Sequence, residues 1–347
     1  MATDATVMPT FDYNLLPDFP PCERPTLNGH AQMVVYFLVF LLGMLGNSVV
    51  VFVVCSMVSR RTSTDVYLMH LAVADFLFSL TLPFWAVAHG NQWVFGTFLC
   101  KLLSGVQDTA FYGCVFLLAC ISVDRYLAIV KATQVASRRR HLVKVVCMAV
   151  WLLALALAVP VVVQREAFVP VGHSAMVCVD NLTAEKMDEW RTGMRVTRHV
   201  LGFFLPLLVM LACYGCTMVT LCKANGRNGS QKHKAMRVIL SVVLAFVLCW
   251  LPINLTHLVD TLMRHHVLGE DCERQDQLDL ALQVTQVIAF LHCAINPILY
   301  AFIGKKFRNQ FLHSLYQKGL IGKDSLALFR KGSAQSSISS RVTSITL

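Results

Sequence analysis

The side chains in this chain with chemistry to offer are a few acids, amides and bases set in otherwise apolar sequence. Asn47, Asp75 and Asn296 each stand inside a long apolar run. A charge or an amide at membrane depth is costly, so such groups face inward, pair, and mark function by default. If the three converge, Asp75 is a lone buried carboxylate able to hold a sodium ion or a proton. The alternative is a satisfied hydrogen-bond network that glues helices together. Asp124-Arg125-Tyr126 sets an acid beside a base where a third apolar run ends. An exposed ion pair there is worth little. A partly buried Arg125 would instead trade its neighbour for a partner on another helix and act as a switch, and spacing leaves both readings open.

A second group lies toward the opposite ends of the apolar runs. Asp279, Gln283 and Gln286 follow an i, i+4, i+7 spacing and share one helix face. Gln107 and Asp108, His257 and Asp260, and Arg195 and Arg198 sit at similar depth in other runs. A mouth ringed by mixed charge reads as a site for a charged ligand, or as mutual salt bridges that prop the mouth open. Catalysis has no comparable support. No His and carboxylate cluster with metal spacing lies on one span, and no nucleophile has a base at helical spacing. No cofactor is expected.

These groups need elements to position them, and composition says which. Of 347 residues, 56% are hydrophobic and 14% are charged, against about a quarter charged in a soluble domain. Seven stretches reach the roughly 20 apolar residues that cross a bilayer. They lie near Val34–Val58, Val66–Ala88, Phe98–Ile129, Val143–Val163, Val200–Leu221, Val238–Leu262 and Leu278–Phe302. Helix is the default, because a lipid-exposed backbone must satisfy its own hydrogen bonds. The expected fold is an all-α seven-helix membrane bundle. A transporter would show repeated halves with paired broken helices, and no such repeat is present. Pro83, Pro160, Pro206, Pro252 and Pro297 place a kink or hinge in five spans.

Orientation follows the Lys and Arg of the connections. Arg60 and Arg61 follow span one, Lys131 and Arg138–Arg140 span three, Lys223 to Arg237 span five, and Lys305, Lys306 and Arg308 span seven. Those segments should face the cytoplasm. Acids dominate the N-terminal segment and the other loops, so the net charge of +10 conceals a basic inner and an acidic outer face. The Arg138–Arg140 run is thus a topology determinant beside anionic lipid rather than a nucleic-acid site. The N-terminal segment has no basic n-region or small-residue cleavage site, so no cleaved signal peptide is expected.

Nine of thirteen cysteines fall in apolar spans, where a thiol behaves as a small hydrophobe. Cys213 and Cys216 form a C-x-x-C within one such span, without a second pair. The remaining Cys22, Cys100, Cys178 and Cys272 are extracellular by the charge rule, in an oxidising compartment that favours two disulfides. Three pairings are open. Asn181-Leu182-Thr183 is an outer-loop glycosylation sequon, whereas the Asn228 and Asn254 sequons should be silent. The Ser/Thr-rich stretch from Ser333 to Thr346 should be disordered, and phosphorylation would make it an anionic segment.

Gly46-Asn47, Leu71-Ala72-Val73-Ala74-Asp75, Asp124-Arg125-Tyr126, Trp151, Pro206 with Tyr214, Cys249-Trp250-Leu251-Pro252 and Asn296-Pro297-Ile298-Leu299-Tyr300 occur in successive spans. In that order they resemble the rhodopsin-like G-protein-coupled receptors. Thr81-Leu82-Pro83, Asp124 through Val130 and the four outer cysteines are similar to chemokine receptors. The runs Phe95–Lys101, Leu118–Arg125, Asp260–Arg264 and Tyr300–Gly304 resemble the interleukin-8 receptors of the C-X-C class.

The resemblance implies a plasma-membrane receptor for small basic C-X-C chemokines that signals through an inhibitory-type heterotrimeric G protein and drives leukocyte-type chemotaxis. It implies the pairings Cys100–Cys178 and Cys22–Cys272. Trp250 becomes a switch together with Asp75, Asn296 and Tyr300, while Asp124, Arg125, Tyr126 and Tyr214 shape the cleft for the G protein. The candidate ligand contacts are Asp12, Tyr13, Glu23, Lys101, Asp108, Arg195, Arg198, Asp260, Arg264, Glu273, Arg274 and Gln286. Asp12-Tyr13 is also a candidate sulfation site, and an acidic N-terminal segment would steer a basic ligand.

Departures sharpen the picture. Gln286 stands where most chemokine receptors carry a glutamate, which makes the deep anchor neutral. Ile345 does not suit the commonest PDZ mode, and no cysteine follows Cys293 to anchor the tail. The expected organisation is an acidic outer segment over residues 1–31, the seven-helix domain over 32–304, an amphipathic helix over 305–316 and a disordered tail over 317–347. The amphipathic helix would rest on membrane lipid through Phe307, Phe311, Leu315 and its bases.

Overall fold

The computed structural model describes residues 28–56, 61–130, 136–170, 174–182, 184–223, 227–265, 267–268, 271–303 and 305–322. Asp12, Tyr13, Cys22, Glu23 and the Ser/Thr-rich tail lie outside the described residues, as does the side chain of Tyr300. Seven helices are long and apolar enough to cross a membrane. In chain order the elements are α1 (Gly29–Ser56), α2 (Ser63–Gly90), α3 (Gly96–Ile129), α4 (Ala136–Gln164), β1 (Arg165–Phe168), β2 (Val177–Asp180), α5 (Ala184–His199), α6 (Leu205–Lys223), α7 (Arg227–Arg264), α8 (Cys272–Phe290), α9 (His292–Ile303) and α10 (Lys305–Gln317). A π-helical turn, Val200–Phe204, joins α5 to α6, and the last span runs through α8 into α9. The two ends of the bundle are called outer and inner after the charge asymmetry of the connections.

Burial explains the arrangement. Helix α3 packs against α2, α4 and α6 and buries residues around its circumference, from Leu103 through Phe111 and Leu117 to Ile121. Helices α1, α4 and α6 leave Leu41, Leu45, Leu152, Val163 and Leu208 exposed. In lipid such faces cost nothing, so helix association rests on close packing and polar contacts. Gly46 shows the packing limit. A Cβ there would lie 2.7 Å from the Pro297 ring, so only glycine lets α1 approach α9 so closely.

The prolines act through the carbonyls they free. Pro297 cannot donate to Cys293, four residues earlier, and the Asn47 side chain takes that role by donating to the Cys293 carbonyl at 2.8 Å. Near Pro206 the helix widens instead, and the Leu205 N–H reaches back to Val200, five residues away. Within that turn Gly202 presses on α3, where a Cβ would meet Phe111 at 2.7 Å.

Span five is longer at its outer end than hydropathy indicates. Its helix begins at Ala184, not Val200. Lys186, Asp188, Glu189, Arg191, Arg195 and Arg198 hide those turns from an apolar count. The short helix α10 follows the bundle, but Phe307 and Phe311 pack against the bundle core. Those two rings are half-buried, so each faces the protein on one side. Lys318 stacks its ammonium over Phe52 of α1 at 4.9 Å.

Candidate ligand cavity and inner end

The outer end opens into a cavity of about 590 Å³. Its lid is the antiparallel pair β1–β2, in which Ala167 faces Cys178. A disulfide joins Cys178 to Cys100 at the start of α3, with 5.7 Å between Cα atoms. Trp93 and Leu103 pack around that bridge, and the Trp93 N–H donates to the Met176 carbonyl at 2.8 Å. The lid is thus tied to α3 by a covalent bond, an apolar cluster and a backbone hydrogen bond. Cys272 is disulfide-bonded, whereas Cys22, its expected partner, lies outside the described residues.

Charge organises the cavity wall. Arg198 pairs with the buried Asp108 of α3 and stacks on Phe111, 5.2 Å from the ring centre. Arg195 Nη2 meets Asp260 Oδ2 of α7 at 2.5 Å, and its Nη1 donates to Thr261 Oγ1 at 3.1 Å. Arg264 closes on the same Asp260 carboxylate at 3.1 Å. His199 Nδ1 lies 2.6 Å from Asn254 Oδ1, so the Asn254 sequon is a structural polar bridge within the membrane. These contacts tie α5 to α3 and α7. Arg165 Nε meets Asp180 Oδ1 at 3.1 Å across the hairpin.

Several expected site residues share this cavity. Gln107, Asp108, Arg195, Arg198, His257 and Gln286 line it, and Asp260 braces Arg195 from the side. Asp279 and Gln283 do not join its wall, although they share a helix face with Gln286. Lys101 is elsewhere. Its Nζ donates to the carbonyls of Val163 at 2.7 Å and Val162 at 3.3 Å, capping the end of α4 where helical carbonyls lack partners. Arg264 stands at the rim beside Arg191 and His265. Glu273 and Arg274 are exposed at the start of α8, where Arg274 Nε reaches Asp271 at 3.3 Å. Asn181 is exposed on the hairpin, with its amide donating to Glu166 Oε2 at 2.5 Å.

Sequence reasoning passed over part of the wall. Arg165, Arg191 and Met194 line the cavity with Arg195 and Arg198. The signal was present, because Arg191, Met194, Arg195 and Arg198 follow the i, i+3, i+4, i+7 spacing of one helix face. The lining is of mixed charge and weighted toward base. Arg165, Arg191, Arg195 and Arg198 stand against Asp108 and Asp180, so the cavity wall is rich in guanidinium.

Aromatic side chains form the floor. Trp250 lies 4.4 Å from the Phe111 ring and 5.1 Å from His292. Below it, Asn296 Nδ2 donates to Asp75 Oδ2 at 2.7 Å. Asn47 donates to the Cys293 and Gly43 carbonyls. Asp75 and Asn296 thus pair directly, while Asn47 reaches α9 through its backbone. At the inner end, Arg125 Nη2 donates to Asp124 Oδ2 at 2.7 Å, and Thr64 Oγ1 of α2 donates to the same oxygen at 2.9 Å. Tyr214 of α6 shares a 3.2 Å hydrogen bond with Ser122 of α3. Tyr126 is half-buried beside them.

A bundle of seven apolar helices with a charge-lined outer cavity and an Asp-Arg-Tyr inner end fits a membrane receptor class, and the chain belongs to the rhodopsin family of seven-transmembrane receptors. The family description, 7 transmembrane receptor (rhodopsin family), matches residues 46–300. The chain is 50% identical over 336 residues to C-X-C chemokine receptor type 1 of Oryctolagus cuniculus, covering 96% of this chain and 92% of that one. It is 50% identical to the type 1 receptor of Homo sapiens over 92% of this chain and 91% of that one. C-X-C chemokine receptor type 2 of Mus musculus is 48% identical over 96% of this chain and 92% of its own length. This is a receptor and not an enzyme.

Proposed function

We propose that this chain is a plasma-membrane receptor for C-X-C chemokines that activates an inhibitory-type heterotrimeric G protein and drives chemotaxis. Its N-terminus is extracellular and its C-terminus cytoplasmic, where receptor kinases and arrestins engage the tail. The observation that carries the reading is the outer cavity. It is open to a peptide segment, lidded by a disulfide-tied hairpin, and walled by arginines that are braced across helices. The names of the relatives, C-X-C chemokine receptors of types 1 and 2, support the ligand class.

The charge layout supports a division of labour. Acidic residues of the N-terminal segment, Asp12, Glu23 and a sulfated Tyr13, hold the basic body of the ligand. An inserted acidic group meets Arg195, Arg198 and Arg191 in the cavity, where guanidinium–carboxylate pairs form two-pronged hydrogen bonds. Gln286 is neutral and contributes shape and hydrogen bonding rather than an ion pair. At the inner end Arg125, Tyr126, Tyr214 and Tyr300 receive the G protein, and Trp250 with Asp75 and Asn296 links the two ends.

The test is expression in mammalian cells with G-protein activation measured against a panel of C-X-C and C-C chemokines. Activation by C-X-C ligands carrying an acidic residue near the inserted end is the expected result. Binding without activation at any concentration would make the protein a scavenger, and no binding to any C-X-C ligand would remove the ligand class.

A further inference from the structure

The outer rim carries a second, smaller recess, set between α5 and α7 beside the ligand cavity. It measures about 40 Å³ and is lined by Arg191, Thr192 and Arg195 of α5, Thr261 and Arg264 of α7, and His265 just beyond α7. Spacings of three and four residues turn the side chains of each segment to one face, so two faces meet across the gap. Among the described residues no acid lines the recess.

Two contacts across the gap fix its shape. Thr192 Oγ1 lies 3.1 Å from His265 Nε2, and Arg195 Nη1 donates to Thr261 Oγ1 at 3.1 Å. Thr261 in turn donates to the His257 carbonyl at 2.8 Å, so its hydroxyl is oriented to accept from Arg195. Asp260 braces this wall without lining the recess. Its carboxylate takes Arg195 Nη2 at 2.5 Å and Arg264 Nε at 3.1 Å. Two guanidiniums thus share one carboxylate, which leaves one positive charge of the group uncompensated. Arg264 binds Asp260 through Nε, and its two terminal nitrogens have no partner among the described residues. Arg191 adds a third guanidinium to the wall. Like charges gathered at a partly buried wall repel one another, and an anion between them relieves that repulsion.

Donor type, direction and size decide the occupant. Guanidinium forks match the oxygens of oxyanions. A carboxylate sets two oxygens in one plane and is satisfied by one fork, whereas the donors here reach the gap from α5 and from α7. A tetrahedral anion has an oxygen for each side. Room for roughly three waters admits one such group. Phosphate near neutral pH carries an O–H that needs an acceptor, and no carboxylate lines the recess to provide it. Sulfate only accepts, as a wall of donors requires. Arg264 and His265 are exposed at the rim, so a sulfate carried on a larger molecule can enter while the rest of that molecule stays in solvent.

We propose that this recess binds a sulfate group, as the free ion or as the sulfate ester of a sugar. Arg191 and Arg195 hold it from α5, and Arg264 holds it from α7. Arg191 and Arg195 line both this recess and the ligand cavity. A bound sulfate therefore draws the same forks that, in the proposed function, meet an acidic group of the ligand, and the two anions compete. The competition rests on that reading; the sulfate site does not.

The test uses the full-length receptor in nanodiscs of zwitterionic lipid, with binding of radiolabelled sulfate measured at constant ionic strength and without chemokine. The expected result is one saturable sulfate per receptor, displaced by unlabelled sulfate and not by equal chloride or phosphate. Arg264→Gln weakens binding by about tenfold and Thr192→Val by less, while Lys144→Gln, an exposed base at the inner end, leaves it unchanged. Displacement by a sulfated disaccharide, with its unsulfated form inert, supports the ester as a source; displacement by inorganic sulfate alone supports the free ion. Absence of saturable binding to the wild-type receptor, displacement by phosphate as effective as by sulfate, or an equal loss in Lys144→Gln would each overturn the site. Should Arg264→Gln fail to fold, the wild-type stoichiometry and Thr192→Val decide the matter. In a second arm, saturating sulfate lowers the affinity of a C-X-C chemokine severalfold for the wild type and not for Arg264→Gln, which also controls for sulfate held by the chemokine itself. Unchanged chemokine affinity would overturn the competition, and no chemokine binding at all would remove the proposed function while the sulfate measurement still decides the site.

Discussion

The two ends of the bundle hold their charged residues in opposite ways. At the outer end the pairs run between helices: Arg198 of α5 to Asp108 of α3, and Arg195 of α5 to Asp260 of α7. The Cys100–Cys178 bridge adds a covalent tie. At the inner end, among the described residues, Arg125 is paired with Asp124, its own neighbour in α3, and hydrogen bonds cross between helices from Thr64 and between Tyr214 and Ser122. A frame cross-linked by ion pairs keeps its shape while a ligand enters. Among the described residues, a guanidinium paired on its own helix has no inter-helix ion pair to break before it moves. The proposed function would use the braced end for recognition and the lightly held one for movement.

That contrast can be broken most severely at the lid. Cys100→Ser or Cys178→Ser opens a loop of sequence separation 78, worth roughly 4 kcal/mol by chain entropy. Ligand binding at the cell surface should be abolished, while full binding after either change would show that the lid is not part of the site. Next comes Asp260→Ala, which leaves Arg195 and Arg264 facing each other without a carboxylate. Stripping one partner from a buried pair costs on the order of 3 kcal/mol. The thermal unfolding midpoint and ligand affinity should both fall, and a double-mutant cycle with Arg195→Ala should show coupling above about 1 kcal/mol. Additive losses would mean that the pair does not brace the wall.

A smaller effect sharpens the inner side. Thr64→Val deletes one hydrogen bond to Asp124 and keeps the side-chain shape, a loss of about 1 kcal/mol, which is roughly fivefold in a two-state population. Ligand-independent G-protein activation should rise by no more than that factor, with ligand affinity nearly unchanged. A fall in affinity comparable to that of Asp260→Ala would mean that the two ends are not separately built.

Much of this organisation was legible in the residues. Seven apolar runs, the alternation of basic and acidic connections, and the seven in-register motifs led to the fold before any coordinates. Asp75 and Asn296 pair, and Asn47 bonds the Cys293 carbonyl of α9, because polar groups in apolar helices must find partners inside the bundle. What escaped notice has physical reasons. Helix α5 was hidden because charged residues lower hydropathy even when they point into a wet cavity, so Arg191 and Met194 went unplaced. Lys101 looked like a ligand contact, yet the open carbonyls at the end of α4 claim it. Phe307 and Phe311 are apolar on one helix face, and sequence cannot say whether lipid or protein covers such a face.

The division between a recognition end and a coupling end is tested most directly at Arg125. Cells expressing Arg125→Ala at wild-type surface density should bind an activating C-X-C chemokine with affinity close to wild type, yet give no G-protein activation at saturating ligand. Undiminished activation by this variant, or loss of binding while surface density is preserved, would contradict the account.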